Sequence, residues 1–293
     1  MKFNCYRYQL CIDNGIIDER SFSSENMTAK EAFDHKNELF IKYIKNEIIK
    51  IHDDDKTLYT SNEIKDEDDY LVFKIGKKST TNIKDKDLIT IRKEPSYNQQ
   101  IYIVVDKSRD TQVLAIEDNN CFSFDLLQTL IFNNVTLSCK SAFLTLEINP
   151  ILETNTFWDF VKSNKKSIKE FVFTVHSQNM SVNNKNAAEL IQSLRADSGA
   201  ETASLNLQAS SNSSLNIDDN NPDFIAMSDL TTEGIASSNI TAYDDNGKIE
   251  FNSKLDKSIR SVRSSNLDLC MKDNQKFSNE LSELIQKLRK YVV

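Results

Sequence analysis

The chain has 293 residues, a formal net charge of −8, 39% hydrophobic and 27% charged residues, a balance that excludes wholesale disorder. Its longest apolar runs, Ile101–Val105 and Leu126–Phe132, fall far short of the roughly 20 residues that cross a bilayer as a helix. Five glycines (Gly15, Gly76, Gly199, Gly234, Gly247), no two of them close together, exclude the glycine-rich phosphate loops of P-loop NTPases, Rossmann dehydrogenases and protein kinases.

In chain order, Phe3–Ile12 reads as a strand rich in aromatic and β-favouring residues. Thr28 and Glu31 make a Thr-x-x-Glu capping box. It opens a helix whose apolar stripe, from Phe33 through Leu39, Tyr43 and Ile48, runs to about residue 51. An acidic stretch follows, Asp53-Asp54-Asp55 and then Glu63 and Asp66–Asp69. Tyr70–Ile75 reads as a strand, and Ile101–Val105 with Gln112–Ile116 as a hairpin. A helix over Phe124–Asn133, a strand over Ala142–Ile148 and a short helix over Phe157–Lys162 come next. Ile168–Val175 alternates as a strand, Asn186–Arg195 reads as a helix, and Thr202–Gln208 as a strand with Leu205 and Leu207 on one face. Ser210–Ser214 marks a surface loop. Ile235–Tyr243 and Lys248–Asn252 form a hairpin through Asn246-Gly247, which supplies the positive φ of a tight turn. The chain ends in an amphipathic helix, Phe277–Tyr291, striped by Leu281, Leu284, Ile285 and Leu288. This order predicts a mixed α/β or α+β fold, a central sheet with helices packed on at least one face. It divides into an N-terminal α+β part, residues 1–135, and a C-terminal α/β part, residues 136–293, or forms one continuous domain.

The five cysteines, odd in number and without a CxxC pair, point to a reduced, cytoplasmic chain, as does an N-terminus without the apolar core of a secretory signal. Cys5 and Cys11, six apart on a strand, face one side and pack. His35, His52 and His176 have no partner at zinc-ligand spacing. The 30 asparagines and 28 lysines reflect an AT-rich genome more than a function, so lysine-rich segments are discounted. Charge is uneven along the chain. From Asp197 to Glu250, ten acids stand against Lys248, a net of −9; residues 254–293 carry nine bases and five acids, a net of +4. A solvated face matched electrostatically within the molecule is the plain reading, and a docking surface for a basic protein the functional one.

One catalytic pattern stands out. Asp54 or Asp55 followed by Glu63-Ile64-Lys65 has the spacing of metal-dependent nucleases, in which carboxylates on adjacent strands ligate Mg²⁺ or Mn²⁺ and a lysine positions the attacking water. Glu38 or Glu47 could add a carboxylate. No other cofactor is expected. The alternative is a solvated acidic loop. His176 at a strand end and His52 at a helix end read as structural, and there is no GxSxG elbow. Two basic patches could touch phosphates: Lys162, Lys165, Lys166 and Lys169, beside Phe157, Trp158 and Phe160, and the three-residue series Lys254, Lys257, Arg260, Arg263. The overall charge of −8 argues against a broad nucleic-acid surface.

Asn149-Pro150-Ile151, Phe157-Trp158-Asp159, Ile168–Phe173 and Asn179-Met180 together resemble an uncharacterised bacterial family whose members lie near phage-defence genes. The resemblance spans residues 70–210 and carries over no catalytic residue. What it implies is a bacterial setting and a role in antiviral defence. The expectation is therefore a non-enzymatic cytoplasmic binding or sensing protein that works with a protein partner, without a membrane, and self-associates through its C-terminal helix if that stripe is left open. A metal-dependent nuclease and a nucleic-acid-binding module are the alternatives.

Overall fold

The aromatic run at the N-terminus becomes the strand around which the larger sheet is built. The structure, a computed structural model, describes residues 1–12, 23–54, 56, 58–84, 91–108, 111–176, 202–244 and 247–290, with backbone alone for 80–84 and 91–98. The expected helix over 186–195 lies outside the described residues, as do Asp55 and Asn246.

Strand β1 (Lys2–Ile12) is central to the sheet and is buried on both faces from Cys5 to Cys11. Phe3 and Cys5 point to one face and Tyr6, Tyr8 and Leu10 to the other, all buried. Burial pushes the Cys5 thiol up to about 12, so it packs as a small apolar group, and Cys11 is buried as well. Along one side β1 pairs with β5 (Val113–Glu117); along the other it pairs first with the short β11 (Ser261–Arg263) and then with β6 (Leu144–Pro150). From β5 the sheet continues through β4 (Ile91–Asp106) and β3 (Tyr70–Lys84) to the edge strand β2 (Tyr59–Asp66), all antiparallel.

Both faces of this sheet are covered. On one lie α1 (Ala29–Asp34), α2 (Lys36–Asp53) and the segment in which α3 (Phe124–Leu127) passes through a π-helical turn, Gln128–Phe132, into α4 (Asn133–Ser141). Leu39, Phe40, Ile44 and Ile48 of α2 join Leu71, Phe73, Ile101 and Ile103 in the largest core. The Thr28 capping box forms with both reciprocal bonds. The helix it opens stops at His35 and restarts, so the expected single helix is two.

The opposite face carries α7 (Leu267–Cys270) and α8 (Asn274–Arg289). Leu281, Leu284 and Leu288 are fully buried there with Val72, Val104 and Ala115. Each such leucine contributes about 1.5–3 kcal/mol. The stripe is spent within the chain, so the open stripe on which self-association through this helix was conditional is not present: the helix covers the sheet's second face.

Residues 151–260 form a second unit. Its sheet runs β10 (Gly247–Asn252), β9 (Ala236–Asp244), β7 (Ile168–His176), β8 (Thr202–Gln208), again antiparallel. Helices α5 (Thr156–Ser163) and α6 (Pro222–Thr232) pack on one face of it, over Phe171, Phe173, Ile240 and Phe251. The mixed α/β class with helices packed on sheet faces is as expected, and among the described residues the strands divide into two sheets. A division at residue 135/136 does not follow them, because β6 belongs to the first sheet and the chain returns to that sheet at β11.

The two units meet at β1 and β6. Gln9 Nε2 and Asn149 Nδ2 donate to the carbonyls of Ile235 and Gly234 at 3.1 and 3.3 Å. Gly234 has φ +71°, and a Cβ there would lie 3.1 Å from Pro150 O and 3.2 Å from Arg7 Cβ. Glycine is what lets this turn sit directly on the large sheet.

Candidate binding surface on the small sheet

The residues of the nuclease pattern are not gathered. Asp54 ends α2, and its carboxylate accepts the Lys56 N–H at 2.8 Å. Glu63 stands on β2 opposite Phe73, on the α2 side of the sheet, 3.6 Å from Lys45 Nζ. A β-bulge between Glu63 and Lys65 then turns the strand. Lys65 is thereby directed to the other side, where its ammonium donates to Ser278 of α8 and lies 3.0 Å from Glu67. Glu38 pairs with His35, and Glu47 is buried against Lys50 and Asn134. Among the described residues no group of three or more His, Cys, Asp or Glu side chains is placed to hold a metal ion. His52 is exposed at the end of α2, as expected, and its Nδ1–H donates to Ser61 C=O at 2.7 Å, tying α2 to β2.

The basic residues are dispersed in the same way. The sequence allows a helix or a tight turn for this series; residues 253–260 run through a turn and irregular backbone rather than a helix. Lys254 reaches Glu147 of β6 at 3.6 Å, Lys257 is exposed, Arg260 donates to Thr154, and Arg263 lies on β11. Burial raises the Glu233 carboxyl, with the charges of Arg7 and Arg260 opposing it, and Arg289 reaches Asp69 and Asp106; among the described residues the tail's ion pairs to other segments are mostly with acids outside 197–250. In the other patch, Lys162 is 3.3 Å from Asp219 and Lys169 donates to the carbonyls of Ser211 and Ser213. Phe157 is fully buried, with Trp158 edge-on to it and Phe160 beside Phe251, so these aromatics serve the core rather than a stacking surface.

A groove of about 600 Å³ runs along α2, lined by Ile41, Ile49, Lys42, Lys45 and Lys107. Its cations are already engaged: Lys42 with Glu25, and Lys45 and Lys107 with Asp66. A polar cluster under α7 joins Lys74, Tyr102, Asp268 and Glu117. Burial raises the Glu117 carboxyl, while at Asp268 the bonds from Lys74 and Tyr102 outweigh burial and hold the carboxyl below the usual range.

The small sheet is different, because among the described residues its second face is left uncovered. Alternation sends Phe171, Phe173, Leu205, Leu207, Ile240 and Phe251 to the helices. The intervening residues form two cross-strand rows on the other side, Gln208–Glu170–Thr241–Glu250 and Asn206–Val172–Asn239–Asn252. Among the described residues no element covers this face, and Ser204, Asn206, Gln208, Asn239 and Glu250 are exposed on it. A depression of about 200 Å³ lies over Glu170, Val172, Asn239, Thr241 and Glu250. Bonds within the face hold its side chains in place: Gln208 Nε2 donates to Glu170 at 3.0 Å, and the Thr174 and Ser204 hydroxyls are 3.1 Å apart. Amides and hydroxyls give it both donors and acceptors. Neither row carries a cation, and Lys248, one row further along β10, is paired with Glu250. The face can hydrogen-bond a partner and is poorly equipped to neutralise phosphate. The sequence reading noted the alternation of β7 and β8 but not the surface, since alternation marks a polar face without saying whether anything covers it.

Compared with protein-family models, with curated proteins and with solved structures, the chain matches none.

Proposed function

We propose that this protein is a non-enzymatic binding or sensing protein of the bacterial cytoplasm that acts through a protein partner docked on the open face of the small sheet. The observation that carries the reading is that uncovered, amide- and hydroxyl-rich face, which bears two carboxylates and a single, already paired lysine. Such a surface suits a polypeptide partner, which offers backbone donors and acceptors, better than a polyphosphate. The dispersal of Asp54, Glu63 and Lys65 supports a binding role over catalysis. The setting in antiviral defence rests on the sequence resemblance of residues 70–210.

The test is affinity capture from phage-infected bacteria with the wild-type chain and with Asn239→Lys/Glu250→Lys. Both substituted residues are exposed, so thermal stability is expected to stay unchanged. A protein captured by the wild type and depleted at least tenfold with the variant supports the reading. Equal capture by both overturns the docking face. Metal-dependent cleavage of DNA or RNA by the wild type, abolished by Glu63→Ala, overturns the function itself, as does a salt-sensitive gel shift lost on charge reversal at Lys254, Lys257, Arg260 and Arg263.

A further inference from the structure

Edge strands expose unpaired N–H and C=O groups, and most proteins guard them with charge, proline, bulges or shortness. This chain guards its edges selectively. On the large sheet, β2 carries a bulge with Glu63, Lys65 and Asp66, β11 has three residues, and β6 carries the Glu147–Lys254 pair and ends at Pro150. On the small sheet, β10 carries Lys248 paired with Glu250. Strand β8, Thr-Ala-Ser-Leu-Asn-Leu-Gln, has seven residues with no charge, proline, glycine or bulge. After it the chain turns back toward β7, where Ala209 N–H bonds Lys169 C=O and Leu215 N–H bonds Ile168 C=O, and among the described residues no strand pairs along the outer side of β8.

We infer that β8 is a self-pairing edge: two copies of this chain join antiparallel strand to strand about Leu205, merging their small sheets into one eight-stranded sheet. The occupant follows from the strand's own pattern. A two-fold axis at Leu205 sets Leu205 against Leu205, Ala203 against Leu207 and Ser204 against Asn206. On the helix side, apolar residues meet apolar residues, and Leu205 and Leu207, only partly buried in the single chain, gain cover. On the open side, a hydroxyl meets an amide. No ionisable group of β8 meets its like across the axis, because β8 carries none. The inference stands apart from the partner-docking reading, since pairing uses the strand edge and docking uses the sheet face. If both hold, pairing places two open faces side by side on one continuous surface.

Light scattering on the size-exclusion eluate of the full chain, at tens of micromolar, should give twice the chain mass of 33.6 kDa. Ser204→Lys/Asn206→Lys sets lysine against lysine across the axis, on exposed positions, and should return the monomer mass with an unchanged melting temperature. Ser204→Glu/Asn206→Glu should do the same. Mixing the two variants should restore the double mass, which a folding defect in either would not permit. A wild-type monomer overturns the inference. So does a dimer that survives both double substitutions, because it uses another surface.

Discussion

Glu117 shows how one carboxyl couples this fold to pH. It sits at the end of β5, and its Oε2 accepts the Tyr102 N–H at 3.0 Å. Burial raises its pKa, the Tyr102 bond lowers it, and the Asp268 charge raises it again, for a net upward shift. A carboxyl whose folded pKa lies above its unfolded value holds its proton longer when folded. Its contribution to stability is therefore present at pH below the ordinary glutamate range and lost as pH rises through the raised value. Glu117→Gln keeps an acceptor for Tyr102 and removes the charge. The variant is expected to exceed the wild type in stability at neutral pH, with the gap closing below the ordinary glutamate range. Urea unfolding of both proteins at several pH values measures this directly, since every other titrating group is shared. A gap independent of pH would show that packing, not ionisation, sets it.

At the scale of elements, the turn between α6 and β9 decides how the second unit sits. Glu233 and Gly234 lie over Arg7, Gln9 and Asn149, all three nearly or fully buried on one face of β1 and β6. Burial draws the Arg7 guanidinium down to about 10, opposed by Glu233, whose carboxylate is 3.9 Å away. Arg7 Nη1, Gln9 Oε1 and Asn149 Oδ1 are buried without a hydrogen-bond partner. Each such atom costs about 1–3 kcal/mol, so fit at the turn, rather than net polar energy, holds the join. Gly234→Ala forces a left-handed residue to carry a Cβ against Pro150 O and Asn149 O, and should cost about 2 kcal/mol in chemical unfolding. A cost within a few tenths of a kcal/mol would mean that the turn shifts freely. The sequence reading missed α6 for a related reason. Ser228, Thr231 and Thr232 are buried on it, with Thr231 bonded to Met227 C=O and Ser238, so no clean apolar stripe marks it. Strand β2 was hidden likewise, as an edge written in charges.

Across the whole molecule, the C-terminus closes what the N-terminus begins. After residues 151–260 the chain returns as β11 beside β1 and as α8 across the sheet. The last turn of α8 is clamped: Arg289 donates from Nε and Nη2 to the two oxygens of the fully buried Asp106, at 3.0 and 2.7 Å. Asp106 also takes the Ser108 N–H and the Thr111 hydroxyl, and its backbone carbonyl accepts from Tyr8. Removing Arg289 leaves that carboxylate short of its counter-charge. Arg289→Ala is expected to destabilise the chain by about 3 kcal/mol, read as a lower urea midpoint at constant slope. Loss of α8 helicity without a midpoint shift would show that the helix frays independently of the sheet.

Local physics was enough for much of this. The β-favouring composition of Phe3–Ile12, the alternation over Ile168–Val175 and Thr202–Gln208, the Thr28–Glu31 box and the Leu281–Leu288 stripe each depend on neighbours within a few residues, and each formed as the sequence implied. Scarce glycine excluded the phosphate loops on equally local grounds. Proximity across the chain is another matter. Whether Glu63 and Lys65 converge was decided by a one-residue bulge in pairing with β3, and whether a leucine stripe is an interface by a sheet some two hundred residues earlier. Which polar face stays open, and which edge stays unguarded, depend on where distant helices and strands come to rest. Spacing fixes which side a residue faces; only tertiary packing fixes what it faces.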